Sequence, residues 1–164
     1  MKNITKNQKI AACIIIVLIV LTVAFIWFNS CQTVEKSSES SGAVYSTVKK
    51  AVDVIFGKDK VPITHNIIRK LAHFSEFALL GAEFSVLLMV LKKENLVKYL
   101  QILPYGVFVA SVDEGLQFIS HRGPAVTDVL IDFCGYFAAA SLFYVLFLIR
   151  RRIKAKKSAS SSKN

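Results

Sequence analysis

Cysteine is scarce in this sequence, and the glycine and serine motifs that mark several enzyme classes are missing. The three cysteines, Cys13, Cys31 and Cys134, form neither a paired zinc-ligand motif nor a disulfide pattern. The sequence has no glycine-rich loop of the kind that cradles a phosphate, and no serine in a nucleophile elbow. It therefore gives no sign of a zinc finger, a P-loop nucleotide enzyme or an elbow-type hydrolase.

Acidic residues are also few, with 11 against 21 lysines and arginines and a formal net charge of +10. A charge of this sign suits nucleic acid, but thirteen of the basic residues lie in three short segments, 2–9, 92–98 and 150–163. In a protein with four membrane spans these segments share one side, which the positive-inside rule makes cytoplasmic. We therefore expect both termini inside, the 29–66 and 120–125 segments outside, and no nucleic-acid partner.

Apolar residues, by contrast, make up 54% of the chain and are gathered into long blocks. Four blocks approach or exceed the roughly 20 residues that span a hydrocarbon core. They cover residues 10–28, 67–91, 99–119 and 126–149. The blocks predict an all-α integral membrane protein, a four-transmembrane-helix bundle. Its membrane domain at 10–149 is flanked by a cytoplasmic N-terminus at 1–9 and a basic cytoplasmic tail at 150–164.

Two further segments need an interpretation of their own. Residues 1–28 have the shape of a signal peptide, but the apolar core is long and no small-x-small cleavage site follows, so an uncleaved first span is expected. Phe28 before Cys31 makes a poor lipoprotein cleavage box. In 43–57, apolar residues recur at helical spacing up to Gly57. This pattern predicts a short amphipathic outer helix, which lies on the membrane surface or packs on the rim of the bundle.

The second block carries ionisable side chains that a lipid-facing helix could not hold. At about 3.6 residues per turn, one face of this helix presents Arg69, His73, Glu76, Leu80 and Glu83. Ionisable groups in hydrocarbon cost several kcal/mol each unless they face protein or water. This helix therefore needs partners that hide its polar stripe.

The third and fourth blocks supply such partners at a matching depth. At about 1.5 Å per residue from the outer ends, His73 lies about 10 Å deep, and Asp113 and Asp132 lie about 8–9 Å deep. Three helices thus present polar groups in one outer slab, in which we assign a candidate catalytic cluster and a basic rim for substrate binding. The cluster comprises His73, Glu76, Asp113, Glu114, Gln117 and Asp128, and the rim comprises Arg69, Lys70 and Arg122.

Such a cluster has several chemical interpretations. His73 could act as a general acid or base, oriented by Glu76 or Glu114. Arg69 and Arg122 could hold a phosphate by forked hydrogen bonds. Neighbouring carboxylates tolerate low dielectric when cations pair with them, when some keep protons, or when a metal neutralises them. His73 with Glu76 and a later carboxylate is only a weak metal signal, so no metal and no cofactor is predicted. The structural alternative is a buried salt-bridge network that fixes helix packing.

Three motifs resemble the VanZ-like family of bacterial membrane proteins. They are R-K-L-A-H-F-x-E-F at 69–77, D-E-x-x-Q at 113–117, and the pair Arg122 and Asp128. Ser30-x-Gln32 before a serine-rich loop is similar to that family's first outer segment, so the resemblance covers roughly residues 25–140. Phenylalanine at 77 stands where many members have tyrosine, and cysteine at 31 replaces a small or polar residue. Neither departure touches the ionisable set.

The resemblance implies a small multi-pass protein of the bacterial cytoplasmic membrane, from a family whose namesake is associated with resistance to teicoplanin, a lipid-tailed glycopeptide. On that basis we expect a protein that binds or modifies a cell-envelope lipid or lipid-linked precursor at the outer leaflet. Its partners would be membrane lipids, such a cell-wall precursor, or a lipoglycopeptide antibiotic. An enzyme form would be a membrane hydrolase or transferase acting on a lipid headgroup. The alternatives are a non-catalytic binding or scaffold module, and a small proton-coupled transporter.

The expected orientation is testable with single cysteines in a background that lacks the three native ones. Ser38→Cys should react with a membrane-impermeant thiol reagent on intact cells, because this position is expected outside. Ser160→Cys should react only after the cells are opened. Labelling of Ser160→Cys alone on intact cells would reverse the topology and place the polar cluster on the cytoplasmic side.

Overall fold

The computed structural model describes residues 4–31, 64–119 and 125–161, and within 42–57 only residues 42, 45–50, 53, 54 and 57. The described residues form four long helices, α1 Lys6–Ser30, α2 His65–Val90, α3 Leu96–Ile119 and α4 Val126–Ser161. The predicted all-α fold is confirmed. The last helix continues past residue 149, where the span was expected to end, because lysine, arginine and alanine favour helix in the basic tail.

Three of these helices are long and apolar enough to cross a membrane, namely α1, α2 and the Val126–Lys156 part of α4. The remaining helix, α3, has 24 residues and is therefore about 36 Å long, which is sufficient for a span. Its Asp113, Glu114 and Gln117 lower its hydropathy, and all three are buried against the other helices. The predicted four-span bundle is compatible with this arrangement.

Consecutive helices run in opposite directions. Thr22 of α1 donates a hydrogen bond to Glu83 of α2, and Asn29 of α1 donates one to Glu76 of α2. Since the later residue of α1 contacts the earlier residue of α2, the two helices are antiparallel. The Tyr136 hydroxyl of α4 donates a hydrogen bond to the Ile102 carbonyl of α3 at 2.8 Å, which links these two helices.

The core between the helices consists of Ile19, Ile26, Phe77, Leu80, Val109, Ala110 and Tyr136. Many large apolar side chains remain exposed on the outer faces, which is the surface that lipid tails require.

Glycines allow α2 and α4, the most extensively packed pair, to touch backbone to backbone. A Cβ added at Gly81 of α2 would collide with the Tyr136 carbonyl of α4, and one added at Gly135 of α4 would collide with the Phe74 carbonyl of α2. A small residue at 135, on the same face of α4 as Asp132, therefore permits the close approach of the two helices. Gly106 of α3 leaves space for the Tyr136 ring, because an added Cβ would lie 2.6 Å from the nearest carbon of that ring.

The predicted outer helix is described only in part. Residues 45–50, 53 and 54 are helical, and Gly57 has a φ of 95°, a left-handed conformation that favours glycine after a helix. The Tyr45 ring stacks on the His65 ring with centroids 4.1 Å apart, so the described part of this segment contacts the start of α2.

The close crossing of α2 and α4 predicts that glycine is required at position 135. Gly135→Ala should lower the free energy of unfolding by about 1–3 kcal/mol, because the added methyl group overpacks a backbone contact. The measurement is thermal unfolding of purified protein in detergent. Gly115→Ala is the control, since nothing lies within 4 Å of its added Cβ and alanine favours helix, so its melting temperature should stay equal or rise. If the two variants had equal melting temperatures, the claim that Gly135 packs closely against the Phe74 carbonyl would be contradicted.

Candidate functional site

Asp113 of α3 lies at the centre of the polar cluster and is completely buried. The Ser30 hydroxyl, at the end of α1, donates to its Oδ1 at 2.5 Å, and Gln117 Nε2, one turn along α3, donates to its Oδ2 at 3.0 Å. Both carboxylate oxygens therefore have donors from different parts of the chain. Such bonds favour the charged carboxylate and hold its plane in one orientation.

His73 of α2 faces this carboxylate. Its Nδ1 lies 3.7 Å from Asp113 Oδ2, and its side chain is about one-sixth exposed. This separation is longer than a normal hydrogen bond, so the two groups interact as charges when the imidazole is protonated. Helical rise explains why they meet, because His73 lies about 12 Å from the start of α2 and Asp113 lies about 9 Å from the end of α3, and the two helices are antiparallel.

Asp132 of α4 is the third side chain of this group and is 1% exposed. Its Oδ2 is buried and has no hydrogen-bond partner in the part of the chain that the structure describes. His73, Asp113 and Asp132 each offer one atom that could bind a metal, and these atoms all lie within 4.8 Å of one another. The three residues are contributed by three different helices.

A rim of charged side chains lies above this group. Lys70 Nζ donates to Asp128 Oδ1 at 2.8 Å, whereas Arg69 Nη2 lies 3.8 Å from Asp128 Oδ2. About one third of each basic side chain is exposed. A small cavity joins the rim to the buried group and is lined by Arg69, Lys70, His73, Gln117, Asp128, Ile131 and Asp132.

Two predicted cluster residues face elsewhere. Glu76 accepts a hydrogen bond from Asn29 Nδ2 at 3.1 Å and lines an apolar groove between α1 and α2. Glu114 accepts from the backbone N–H of Ala125 and lines a second groove, between α3 and α4. Arg122, the third predicted rim residue, lies outside the described residues. The structure thus groups Arg69, Lys70, His73, Asp113, Gln117 and Asp128 around the cavity or its floor.

Sequence reasoning assigned no site role to three residues. Asn29 and Ser30 at the end of α1 donate to Glu76 and Asp113, yet the sequence marks them only as the polar end of an apolar span. Ser30 is completely buried, and the Ser-x-Gln element was the signal that could have pointed to it. Asp132 was counted among the polar groups of the slab but was not named as a candidate catalytic residue, although its side chain lines the cavity.

These features define an α-helical membrane protein with a buried polar cluster near one end of its bundle. The chain matches the VanZ/LLP1 family over residues 15–149, which is most of its length, and it belongs to that family. The resemblance drawn from the three motifs is therefore confirmed. No curated protein and no solved structure matches the chain.

The contact between Ser30 and Asp113 predicts that α1 stabilises the cluster through one hydroxyl. Ser30→Ala should lower the free energy of unfolding by about 1–3 kcal/mol, because a buried carboxylate oxygen loses its donor. Ser75→Ala is the matched control, since that exposed hydroxyl bonds only carbonyls of its own helix. Thermal unfolding in detergent measures both. An unchanged melting temperature for Ser30→Ala would show that the hydrogen bond does not contribute.

Proposed function

We propose that this protein binds the phosphate-bearing headgroup of an envelope lipid or lipid-linked cell-wall precursor at the outer leaflet, and that this binding changes how lipoglycopeptides such as teicoplanin reach their target. One observation carries the proposal. Two partly exposed cationic side chains, Arg69 and Lys70, flank a cavity whose floor is polar and buried, in a protein whose outer faces are apolar.

Arg69 is the residue best suited to recognise a phosphate. Its guanidinium lies 3.8 Å from Asp128 and donates only a 3.3 Å bond to the exposed Asn66 side chain, so its forked donors are not committed to a buried partner. Arginine donors match phosphate oxygens in pairs. Lys70 is fixed more firmly by its 2.8 Å bond to Asp128 and supports the rim as a point charge.

The apolar groove beside the cluster suits the tail of the same ligand. It lies between α3 and α4 and is lined by Ser111, Glu114, Gly115, Phe118, Val126 and Val129. A lipid whose phosphate contacts Arg69 and Lys70 at the mouth of the cavity would keep its chain in the hydrocarbon around the apolar outer faces of the bundle, which include this groove. Lipid binding therefore needs no exit of the chain into water, which supports a lipid rather than a soluble phosphate as the ligand.

Turnover is the stronger form of the proposal. A His73 imidazole beside Asp113 is arranged to accept or donate a proton at a bound headgroup. The structural alternative is also favoured by a specific observation, since Ser30 and Gln117 already satisfy both oxygens of Asp113. The two interpretations differ at Arg69, which belongs to the cavity but not to that buried network.

The test compares Arg69→Gln with wild type for binding to nanodiscs that contain a polyprenyl diphosphate or phosphatidylglycerol, with phosphatidylcholine as the neutral reference. Loss of a charged donor costs about 1.5–3 kcal/mol, so binding should weaken about 10- to 100-fold. The melting temperature should change little, because a partly exposed ion pair is worth about 1 kcal/mol or less. Release of inorganic phosphate from the polyprenyl diphosphate tests turnover in the same samples.

Lys98→Gln is the matched control, because it removes one exposed lysine from the start of α3, away from the cavity. Wild type, Arg69→Gln and Lys98→Gln should be expressed in a teicoplanin-sensitive bacterium, and protection should be lost only with Arg69→Gln. Equal lipid binding by all three proteins would defeat the proposal. Loss of protection in proportion to lost protein abundance would support the structural network instead.

A further inference from the structure

We infer that the protein binds a transition-metal dication, of the Zn²⁺ or Mn²⁺ type, between His73 of α2, Asp113 of α3 and Asp132 of α4. One nitrogen and two carboxylate oxygens from these residues lie within 4.8 Å of one another. This site deepens the proposed function, because it adds a cation to the cavity at which the headgroup would bind. Metal binding itself does not depend on that function; only the role of the headgroup as the metal's further ligand rests on it.

The distances are close to those that an ion requires. Ligands bound tetrahedrally at about 2.1 Å lie about 3.4 Å from each other. His73 Nδ1 and Asp113 Oδ2 are 3.7 Å apart, so this pair is close to ligating distance already. The three atoms lie within 4.8 Å of one another, so ion binding requires them to approach by up to about 1.4 Å.

Asp132 supplies the independent reason to expect a cation. It is 1% exposed, and its Oδ2 has no hydrogen-bond partner within the described ranges. The two basic side chains at the rim contact Asp128 instead, one turn nearer the start of α4. A carboxyl group buried in a hydrocarbon-facing bundle needs a proton or a counter-charge, and a dication between two aspartates is a counter-charge that fits this position.

The surroundings of Asp113 resemble the outer shell of a metal site. Ser30 donates to Oδ1 and Gln117 donates to Oδ2, which fixes the plane of the carboxylate. Outer hydrogen bonds of this kind orient ligands and strengthen metal binding. The oxygen that accepts from Gln117 keeps a second lone pair for an ion.

The donor set selects the class of ion. One imidazole with two carboxylates suits Zn²⁺ or Mn²⁺. Calcium needs six to eight oxygen ligands, and magnesium binds few protein groups and keeps its water. Three protein ligands leave at least one coordination position, and the adjoining cavity leads to Arg69 and Lys70. A phosphate oxygen of the proposed headgroup is the chemical group that would fill this position.

The test is calorimetric titration of full-length protein, stripped with EDTA and held in detergent without added lipid. Wild type should bind about one Zn²⁺ or Mn²⁺ per chain, with weaker binding of Mg²⁺ and Ca²⁺. Asp132→Asn and His73→Gln should each weaken Zn²⁺ or Mn²⁺ binding at least tenfold. Glu83→Gln is the matched control, because it removes a carboxylate of α2 that bonds Thr22 and lies outside the cluster, and it should bind like wild type.

Melting temperatures keep the test valid if a variant folds poorly. The metal should raise the melting temperature of wild type and Glu83→Gln but not that of Asp132→Asn. Without metal, Asp132→Asn should melt at or above wild type, because the amide has nearly the same shape and needs neither a proton nor a cation to remain buried. Equal binding by Asp132→Asn and wild type, or no binding by wild type, overturns the inference. Headgroup binding by Arg69 is measured separately, so failure of metal binding leaves the proposed function standing, and the reverse also holds.

Discussion

The burial of carboxylates inside a bundle that faces hydrocarbon is the constraint on which the rest of this structure depends. Asp113 and Asp132 are almost fully excluded from solvent, and a carboxylate in that position needs donors, a cation or a proton. The fold meets the need by bringing Ser30, His73 and Gln117 from three helices to one end of the bundle. An arrangement that turned any of these faces toward lipid would carry the full cost of the charge.

The cluster has two layers that differ in their exposure to solvent. In the inner layer, Asp113 is completely buried and accepts hydrogen bonds from two donors. In the outer layer, Lys70, Arg69 and Asp128 are partly exposed, so water and ions compete for their contacts. Stability therefore depends mainly on the inner layer, whereas solvent reaches the outer layer directly.

Helical rise made part of the site predictable from the sequence. It places His73 and Asp113 at similar depths whatever the neighbouring helices do, because depth follows from counting residues. Rotation about each helix axis does not follow from counting, and for that reason the sequence could not show that Glu76 accepts from Asn29 or that Glu114 accepts from the Ala125 N–H. Ser30 was missed for a related reason, since a hydroxyl at the end of an apolar span shows its partner only in the assembled bundle.

The bonds between α1 and α2 have a consequence for biogenesis. A chain made from its N-terminus delivers these two helices to the membrane before α3 and α4 exist. At that stage Glu83 can already take its donor from Thr22, and Glu76 can take its donor from Asn29. The first hairpin thus enters the bilayer with two of its acids already matched. Ser30, His73 and the basic pair beside His73 meet their partners when the second hairpin brings Asp113 and Asp128.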